Sequence, residues 1–132
     1  QVSEEKIKEI LKQFVGEIEQ IPPMYSAKKI NGKKLYQLAR QGKMVARKPS
    51  KIKIYQIEIK KYDPISCCLG VLIGCSSGTY IRSLAHDIGE KLGCGAYLEK
   101  LIRTKIGDYR LENAINPDQL TPVNWLNFCH HW

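Results

Sequence analysis

The sequence lacks any long apolar run. No stretch approaches the roughly 18 consecutive apolar residues of a transmembrane helix, and the opening residues QVSEEKIKEI hold no apolar centre of a secretory signal. Both absences favour a cytoplasmic protein without a membrane partner. The 132 residues are 43% hydrophobic and 26% charged, so we expect one compact domain that spans residues 1–132.

The cysteines show no pairing pattern. Five are present, an odd number, and no CxxC spacing occurs among them, which argues against a disulfide framework or a zinc knuckle. Buried, reduced thiols are the favoured interpretation. The terminal run Cys129-His130-His131 could contact a metal, but such a trio at a chain end is more often a tail, and we expect no metal site.

Acidic residues are nearly missing from the middle of the chain. Residues 28–61 hold twelve Lys or Arg and a single acid, Glu58, within a chain of net charge +8. A basic stretch inside an otherwise mildly acidic chain suggests a face that meets a polyanion such as nucleic acid. A solvated, lysine-rich surface is the alternative that charge alone leaves open.

Apolar residues at helical spacing predict several helices. Ser3 is a good N-cap for an amphipathic helix that ends near Gly16, and a short helix is expected over residues 33–41. A further helix follows the turn at residues 76–79 and ends at Gly93. A last helix is expected to begin near Pro117.

Two apolar segments predict strands. Residues 51–60 form a strand whose apolar face changes near Tyr55-Gln56, which indicates a β-bulge or a bend rather than one flat strand. Residues 67–75 are almost continuously apolar, which predicts a strand buried on both faces. Together with the helices, these strands predict an α+β fold with a mixed, mostly antiparallel sheet and flanking helices.

Two segments carry the side chains best suited to chemistry. In residues 21–40, a rigid Pro-Pro pair delivers Tyr25 beside several lysines, and a ring next to cations suits single-stranded or flipped-out RNA. A half-buried core tyrosine is the alternative. Arg82 lies in the first turn of the helix after Ser77-Gly78, where a cation opposes the helix dipole and usually has an anionic partner. An exposed surface arginine is the alternative there.

The motifs in these segments resemble those of the TruB family of tRNA pseudouridine synthases. They are PPMYSAKKING, with Lys28 in place of the usual leucine, GTYIRSLAHDIG, with His86 where an acid is common, and GCGAYLEKLIRTKIG. The lead-in FVGEIEQIPP is also similar. The resemblance covers roughly residues 1–115. It implies the C-terminal portion of a pseudouridine synthase catalytic domain, with part of that family's fold.

The resemblance also implies a reaction. The family converts uridine 55 of the tRNA T-loop to pseudouridine after flipping the base into a pocket. An aspartate attacks, the glycosidic bond breaks, and the uracil rotates and rejoins through carbon, with no metal or organic cofactor. By motif, Tyr25 stacks on the base, Arg82 orients the aspartate and Leu101 contacts the base. The residues expected to line the RNA site or contact the T-arm are Lys28, Lys29, Lys33, Lys34, Tyr80 and Arg103.

One part of the family's pattern is missing from the sequence. The attacking aspartate of the family lies in a Gly-Thr-Leu-Asp-Pro context before the tyrosine motif, and none of Asp63, Asp87, Asp108 and Asp118 has that context. Asp87 is expected to be structural. Three hypotheses stay open: an enzyme part completed by a carboxylate from upstream residues or a separate polypeptide, a T-arm-binding module without chemistry, or an inert fragment with open strand edges.

Overall fold

The structure is a computed structural model that describes residues 2–30 and 32–125. Its backbone contacts divide the chain into two compact units, Gln1–Leu98 and Glu99–Trp132. The single domain expected over residues 1–132 stays a prediction. None of the helices in the described part of the chain is long and apolar enough to cross a membrane.

The first helix begins where the sequence predicts. Helix α1 covers Glu4–Lys12, and the Ser3 Oγ accepts a hydrogen bond of 3.3 Å from the Lys6 amide, which satisfies one of the free amides of the first turn. The predicted end near Gly16 is wrong. Gly16 instead has φ +114° and begins strand β1, Gly16–Gln20, which the sequence analysis missed.

A small hairpin and a short helix follow β1. Strand β2, Lys29–Ile30, pairs antiparallel with β3, Lys33–Lys34. Helix α2 then covers Leu35–Arg40, so the predicted short helix is confirmed. Its Leu35 is fully buried and its Leu38 is buried, and the Leu35 and Tyr36 amides donate to the carbonyls of Lys28 and Ser26.

The main sheet has the order β1-β4-β5 and is antiparallel throughout. Strand β4 covers Ser50–Asp63 and β5 covers Cys68–Cys75. The register of this pair shifts between Ile54 and Gln56, so the predicted β-bulge is confirmed. A second shift further along β4 accompanies the packing of Tyr62 against the core.

The core of the first unit lies between one face of this sheet and two helices. Helix α3 covers Ile81–Leu92 and packs beside α1. The buried residues of the core are Ile7, Leu11, Phe14, Ile52, Ile54, Leu84 and Ile88. Helix α3 ends at Gly93, in the left-handed region at φ +80°, as predicted.

Two expectations about the apolar strand are wrong. Strand β5 is an edge strand, and its residues are half-buried or exposed rather than buried on both faces, because the core covers one face of the sheet. The four cysteines within the described residues are not buried either: Cys67, Cys68 and Cys94 are exposed, and Cys75 is half-buried. Cys67 lies in the turn between β4 and β5, and Cys94 follows the end of α3.

Residues 99–125 of the second unit contain little regular structure. Strands β6, Lys105–Ile106, and β7, Tyr109–Arg110, form a two-stranded hairpin. Two single 3-10 turns follow, Leu111–Asn113 and Pro117–Gln119. Within the described residues the second turn stands where the last helix was predicted, and the run Cys129-His130-His131 lies outside them.

Candidate active site

A shallow cavity of about 380 Å³ lies between the Pro-Pro segment and the start of α3. Its lining residues are Ile21, Pro23, Met24, Arg47, Arg82, Ser83, His86 and Asp87. Met24, which directly precedes Tyr25, therefore lines the same cavity as Arg82. The structure brings the two segments singled out in the sequence to one place, although Met24 and Arg82 are 58 residues apart in the chain.

Tyr25 presents its ring to solvent. The residue is 62% exposed, and its phenol makes no hydrogen bond within the described part of the chain. The alternative of a core tyrosine does not fit this exposure. A ring held at the end of a Pro-Pro segment with one face open can stack on a planar base.

Arg82 lies in the first turn of α3 and is exposed. Among residues 2–30 and 32–125 its guanidinium has neither a hydrogen bond nor an ion pair. Asp87 lines the same cavity but does not pair with it. A cation at a helix N-terminus opposes the helix dipole, so an anionic partner from outside the described chain would be favourable here.

Tyr80 is the N-cap residue of α3 and is half-buried. The turn before it is fixed by Gly78, with φ +79°, and by the Thr79 Oγ1, which donates a 2.9 Å hydrogen bond to the Ser76 carbonyl. Because this turn connects β5 to α3, it determines where Tyr80 and Arg82 stand relative to the sheet.

Three side chains that no sequence pattern indicated hold the Pro-Pro segment and the residues beside it. The Gln20 amide hydrogen-bonds both backbone groups of Tyr80, the Ser83 hydroxyl donates to the Ile21 carbonyl at 3.2 Å, and Arg47 donates to the Pro22 carbonyl at 3.1 Å. All three side chains bond to residues far away in the chain, so no local sequence pattern could have revealed them.

The predicted RNA-binding lysines differ in their surroundings. Lys28 donates from its ammonium to the Ser50 hydroxyl and is half-buried. Lys29 stands directly opposite Lys34 in the β2–β3 ladder, where like charges repel. Lys33 is exposed. The hairpin therefore holds unneutralised positive charge that an anion would stabilise.

The outward lysines of β4 have a different environment. Lys51 stands opposite Glu19 of β1, and Lys53 stands opposite Glu17. Opposite charges on directly facing residues attract, so this part of the basic stretch is compensated locally. Positive charge that faces no acidic residue across a strand pair lies on the hairpin, and Arg40 of α2 lies 5.4 Å from the centre of the Tyr36 ring.

Leu101 and Arg103 belong to the second unit. Both are exposed, Leu101 at 61%. They lie in residues 99–104, which form neither helix nor strand and lead directly into β6. Their proposed contacts with the base and the RNA stay predictions.

The described residues hold no group of three His, Cys, Asp or Glu side chains arranged to bind a metal ion. The cavity lining contains His86 and Asp87 together with two arginines, Arg47 and Arg82. Positive guanidinium groups beside such a pair favour an anion over a metal cation.

Comparison with solved structures identifies the class of fold. A chain of the crystal structure of a Cbf5–Nop10–Gar1 complex superposes with a TM-score of 0.68 at 34% identity, covering 87% of this chain and 30% of that chain. A second neighbour, from the structure of an H/ACA RNP bound to a substrate RNA containing 2'-deoxyuridine, has a TM-score of 0.62 at 30% identity, covering 86% and 27%. The helices and antiparallel sheet are part of the pseudouridine synthase fold.

Sequence comparison identifies the family. The model of the TruB family pseudouridylate synthase (N terminal domain) matches residues 1–81, and that of the tRNA pseudouridylate synthase B C-terminal domain matches residues 82–127. The chain belongs to the TruB family of pseudouridylate synthases, as its motifs predicted.

Similar curated relatives bear the name tRNA pseudouridine synthase B. The protein of Protochlamydia amoebophila is 53% identical over 123 residues, which are 92% of this chain and 45% of that protein. The protein of Francisella philomiragia is 48% identical over 121 residues, 92% of this chain and 39% of that protein. The chain thus spans less than half the length of these relatives.

Proposed function

We propose that the chain is part of a tRNA pseudouridine synthase that acts in the cytoplasm on uridine 55 of the T-loop. The observation that carries this proposal is the presence of an exposed Tyr25 and an unpartnered Arg82 beside one cavity of the described chain. The chain supplies base-stacking, carboxylate-orienting and RNA-binding side chains to an isomerisation that needs no metal or organic cofactor.

Each site residue has a distinct role in this proposal. Tyr25 stacks on the extruded uracil, and Arg82 forms a charge-assisted hydrogen bond with the attacking carboxylate. Tyr80 lines the same site because it caps the helix that carries Arg82. Leu101 contacts the base and Arg103 the RNA backbone, from the second unit.

The attacking carboxylate comes, in this proposal, from residues outside these 132. The Gly-Thr-Leu-Asp-Pro context of the family does not occur in the sequence, and the relatives are more than twice as long as the matched region. The exposed and unpaired guanidinium of Arg82 supports the same view, because it leaves a site for an incoming anion.

The T-arm contacts the β2–β3 hairpin and α2. No acidic residue occurs between Glu19 and Glu58, and Lys29 faces Lys34 across the ladder. Phosphates would relieve this repulsion and release counterions. RNA as a partner is further supported by the neighbouring H/ACA RNP structure, which contains a substrate RNA. The Lys28 ammonium, already bonded to Ser50, is expected to contribute least of the four lysines.

An RNA-binding module without chemistry is the second candidate. The missing aspartate motif favours it, since the same lysines and the same tyrosine would bind a T-arm whether or not a carboxylate is present. The two candidates differ only in whether another polypeptide or upstream residues complete the site.

Complementation separates the two. The chain is mixed with T-arm RNA, with and without a polypeptide that carries the family's aspartate motif, and pseudouridine is quantified by mass spectrometry of the nucleosides. The enzyme hypothesis predicts product only when both polypeptides are present. RNA binding without product in either sample supports the module, and product from this chain alone contradicts our assignment of the carboxylate.

A matched pair of double variants tests the RNA face. Lys33→Ala with Lys34→Ala removes two uncompensated charges, whereas Lys51→Ala with Lys53→Ala removes two charges that face glutamates. In the first double variant the negative slope of log K against log salt should become shallower, by about 0.7–0.9 for each phosphate that the protein no longer binds. The second double variant should leave the slope nearly unchanged. Equal slopes in both double variants would contradict the proposal that RNA binds mainly at the β2–β3 hairpin.

A further inference from the structure

A buried glutamine joins the end of β1 to the start of α3. The Gln20 Nε2 donates to the Tyr80 carbonyl at 3.1 Å, and the Tyr80 amide donates to the Gln20 Oε1 at 2.8 Å. Gln20 is 1% exposed. Its amide thus makes with the Tyr80 backbone the same kind of reciprocal pair that neighbouring strands make with each other.

The backbone carbonyls of the two residues after Gln20 also accept hydrogen bonds from distant side chains. The Ile21 carbonyl accepts from Ser83, one residue after Arg82, at 3.2 Å. The Pro22 carbonyl accepts from Arg47 at 3.1 Å, and Pro22 itself is fully buried. Gln20 and the two residues after it are therefore held by hydrogen bonds to residues outside β1. They immediately precede the segment that carries Tyr25.

The Gln20 pair is the most constrained of these contacts. Gln20 is buried and Tyr80 is half-buried, and loss of the glutamine would leave the Tyr80 amide without its acceptor, whereas the Tyr80 carbonyl would keep the Leu84 amide as a donor. The pair is also specific for an amide, because a carboxylate lacks the donor and the shorter asparagine side chain cannot reach both backbone groups. Ser83 and Arg47 each make one bond at a more accessible position.

We propose that Gln20 is a positioning residue, which fixes the segment of Tyr25 against the helix turn of Arg82. The inference rests on the proposed function for its catalytic consequence, but the coupling of the two segments can be measured separately. In the proposed function Tyr25 contacts the base and Arg82 contacts the carboxylate. A misplacement of about 1 Å at such groups can lower a rate on the order of 100-fold.

Two variants of Gln20 and one control test the coupling. Gln20→Met removes both hydrogen bonds with little change of volume, and Gln20→Glu retains the acceptor for the Tyr80 amide while losing the donor to its carbonyl. Gln56→Glu is the matched control, since Gln56 is exposed on β4 and makes no such pair. Ser83→Ala is a milder variant that removes only the Ile21 contact.

Native-state hydrogen exchange gives the first readout. In Gln20→Met the Tyr80 amide should exchange at least about tenfold faster, because its acceptor is gone, while the amides of α1 keep their protection. If Gln20→Met does not fold, Gln20→Glu supplies the comparison, and faster exchange confined to the start of α3 is expected because a carboxylate oxygen would face the Tyr80 carbonyl in place of the donor. Exchange at Tyr80 within about twofold of the wild type in Gln20→Met would overturn the inference, as would a uniform loss of protection in the milder variants.

Kinetics in the complementation mixture give the second readout. The single-turnover rate should fall about 10- to 100-fold in Gln20→Met, while the dissociation constant for T-arm RNA changes by less than about twofold because the lysines are untouched. Equal losses of rate and affinity would indicate a general structural defect and overturn the positioning role. If the wild-type mixture forms no product, the proposed function fails, and the exchange readout alone decides whether Gln20 couples the two segments.

Discussion

Gly89 in α3 is a position where a single added methyl group should destabilise the folded protein. The chain folds back over the helix after Gly93, and a Cβ on Gly89 would lie 2.1 Å from the Ala96 amide nitrogen and 2.4 Å from the Gly95 carbonyl carbon. Distances under 3.0 Å do not occur for real Cβ atoms. The neighbours are backbone atoms, so they cannot move aside as the end of a flexible side chain would.

The cost of Gly89→Ala follows from three contributions. Forcing a methyl group into a packed site costs about 1–3 kcal/mol. Moving the returning segment away weakens the hydrogen bonds that the Cys94 and Gly95 amides donate to the Gly89 carbonyl, at 3.3 and 3.0 Å, each worth about 1 kcal/mol. Alanine recovers about 1 kcal/mol of helix propensity. The net expectation is a loss of about 2–4 kcal/mol in the free energy of unfolding.

Urea unfolding followed by far-UV circular dichroism measures this loss, with Glu90→Ala as the control. Glu90 is the next residue of the same helix and is exposed, so its replacement should change the free energy of unfolding by less than about 0.5 kcal/mol. A Gly89→Ala protein as stable as the wild type would refute the close approach of residues 95–96 to the helix.

Three further predictions concern the ends of elements and the thiols. Ser3→Ala should lower the free energy of unfolding by about 1 kcal/mol in the same urea experiment, because it removes the N-cap acceptor of α1. The Asp63 carboxyl accepts hydrogen bonds, first from the Ser66 hydroxyl, that hold its pKa below the usual 3.8. The stabilisation from this carboxylate is therefore complete above pH 3.8 and is lost as the pH falls through the lowered pKa. The difference in the free energy of unfolding between wild type and Asp63→Asn should become smaller in that acidic range. Cys67 and Cys94 should react with a thiol reagent in the folded protein, as mapped by peptide mass spectrometry, and protection of both would contradict their exposure.

Much of the fold could be predicted because its signals are local. The hydroxyl of Ser3, the left-handed Gly93 and the change of apolar face near Tyr55 each act on immediate neighbours. The bulge is a clear case: the parity of the isoleucines changes within one strand, and an inserted residue accommodates that change.

Features that depend on distant partners escaped prediction. Strand β1 has Ile18 as its only large apolar residue, so its sequence has no clear strand pattern. Its two glutamates stand opposite Lys51 and Lys53 of β4, which the sequence alone does not show. Strand β5 has the composition of a strand buried on both faces, yet the described chain covers one face of the sheet. Burial on the second face depends on what else lies against it, which composition does not reveal.

The candidate site likewise contains some residues that the sequence could indicate and others that it could not. Tyr25 and Arg82 could be singled out from residue chemistry and from their motifs. The glutamine that ties their segments together could not, because its partner is the backbone of Tyr80, sixty residues away, and backbone groups carry no sequence signature. The unequal surroundings of the lysines likewise follow from strand register rather than from charge count.

The central claim is that Arg82 pairs with an attacking carboxylate supplied from outside this chain. The pH dependence of the single-turnover rate in the complementation mixture tests it most directly, with wild type and Arg82→Gln compared. An adjacent guanidinium lowers the pKa of a carboxyl by about 1–3 units, so the acidic limb of the Arg82→Gln profile should move to higher pH by a shift of that size. An acidic limb at the same pH in both proteins would contradict the pairing.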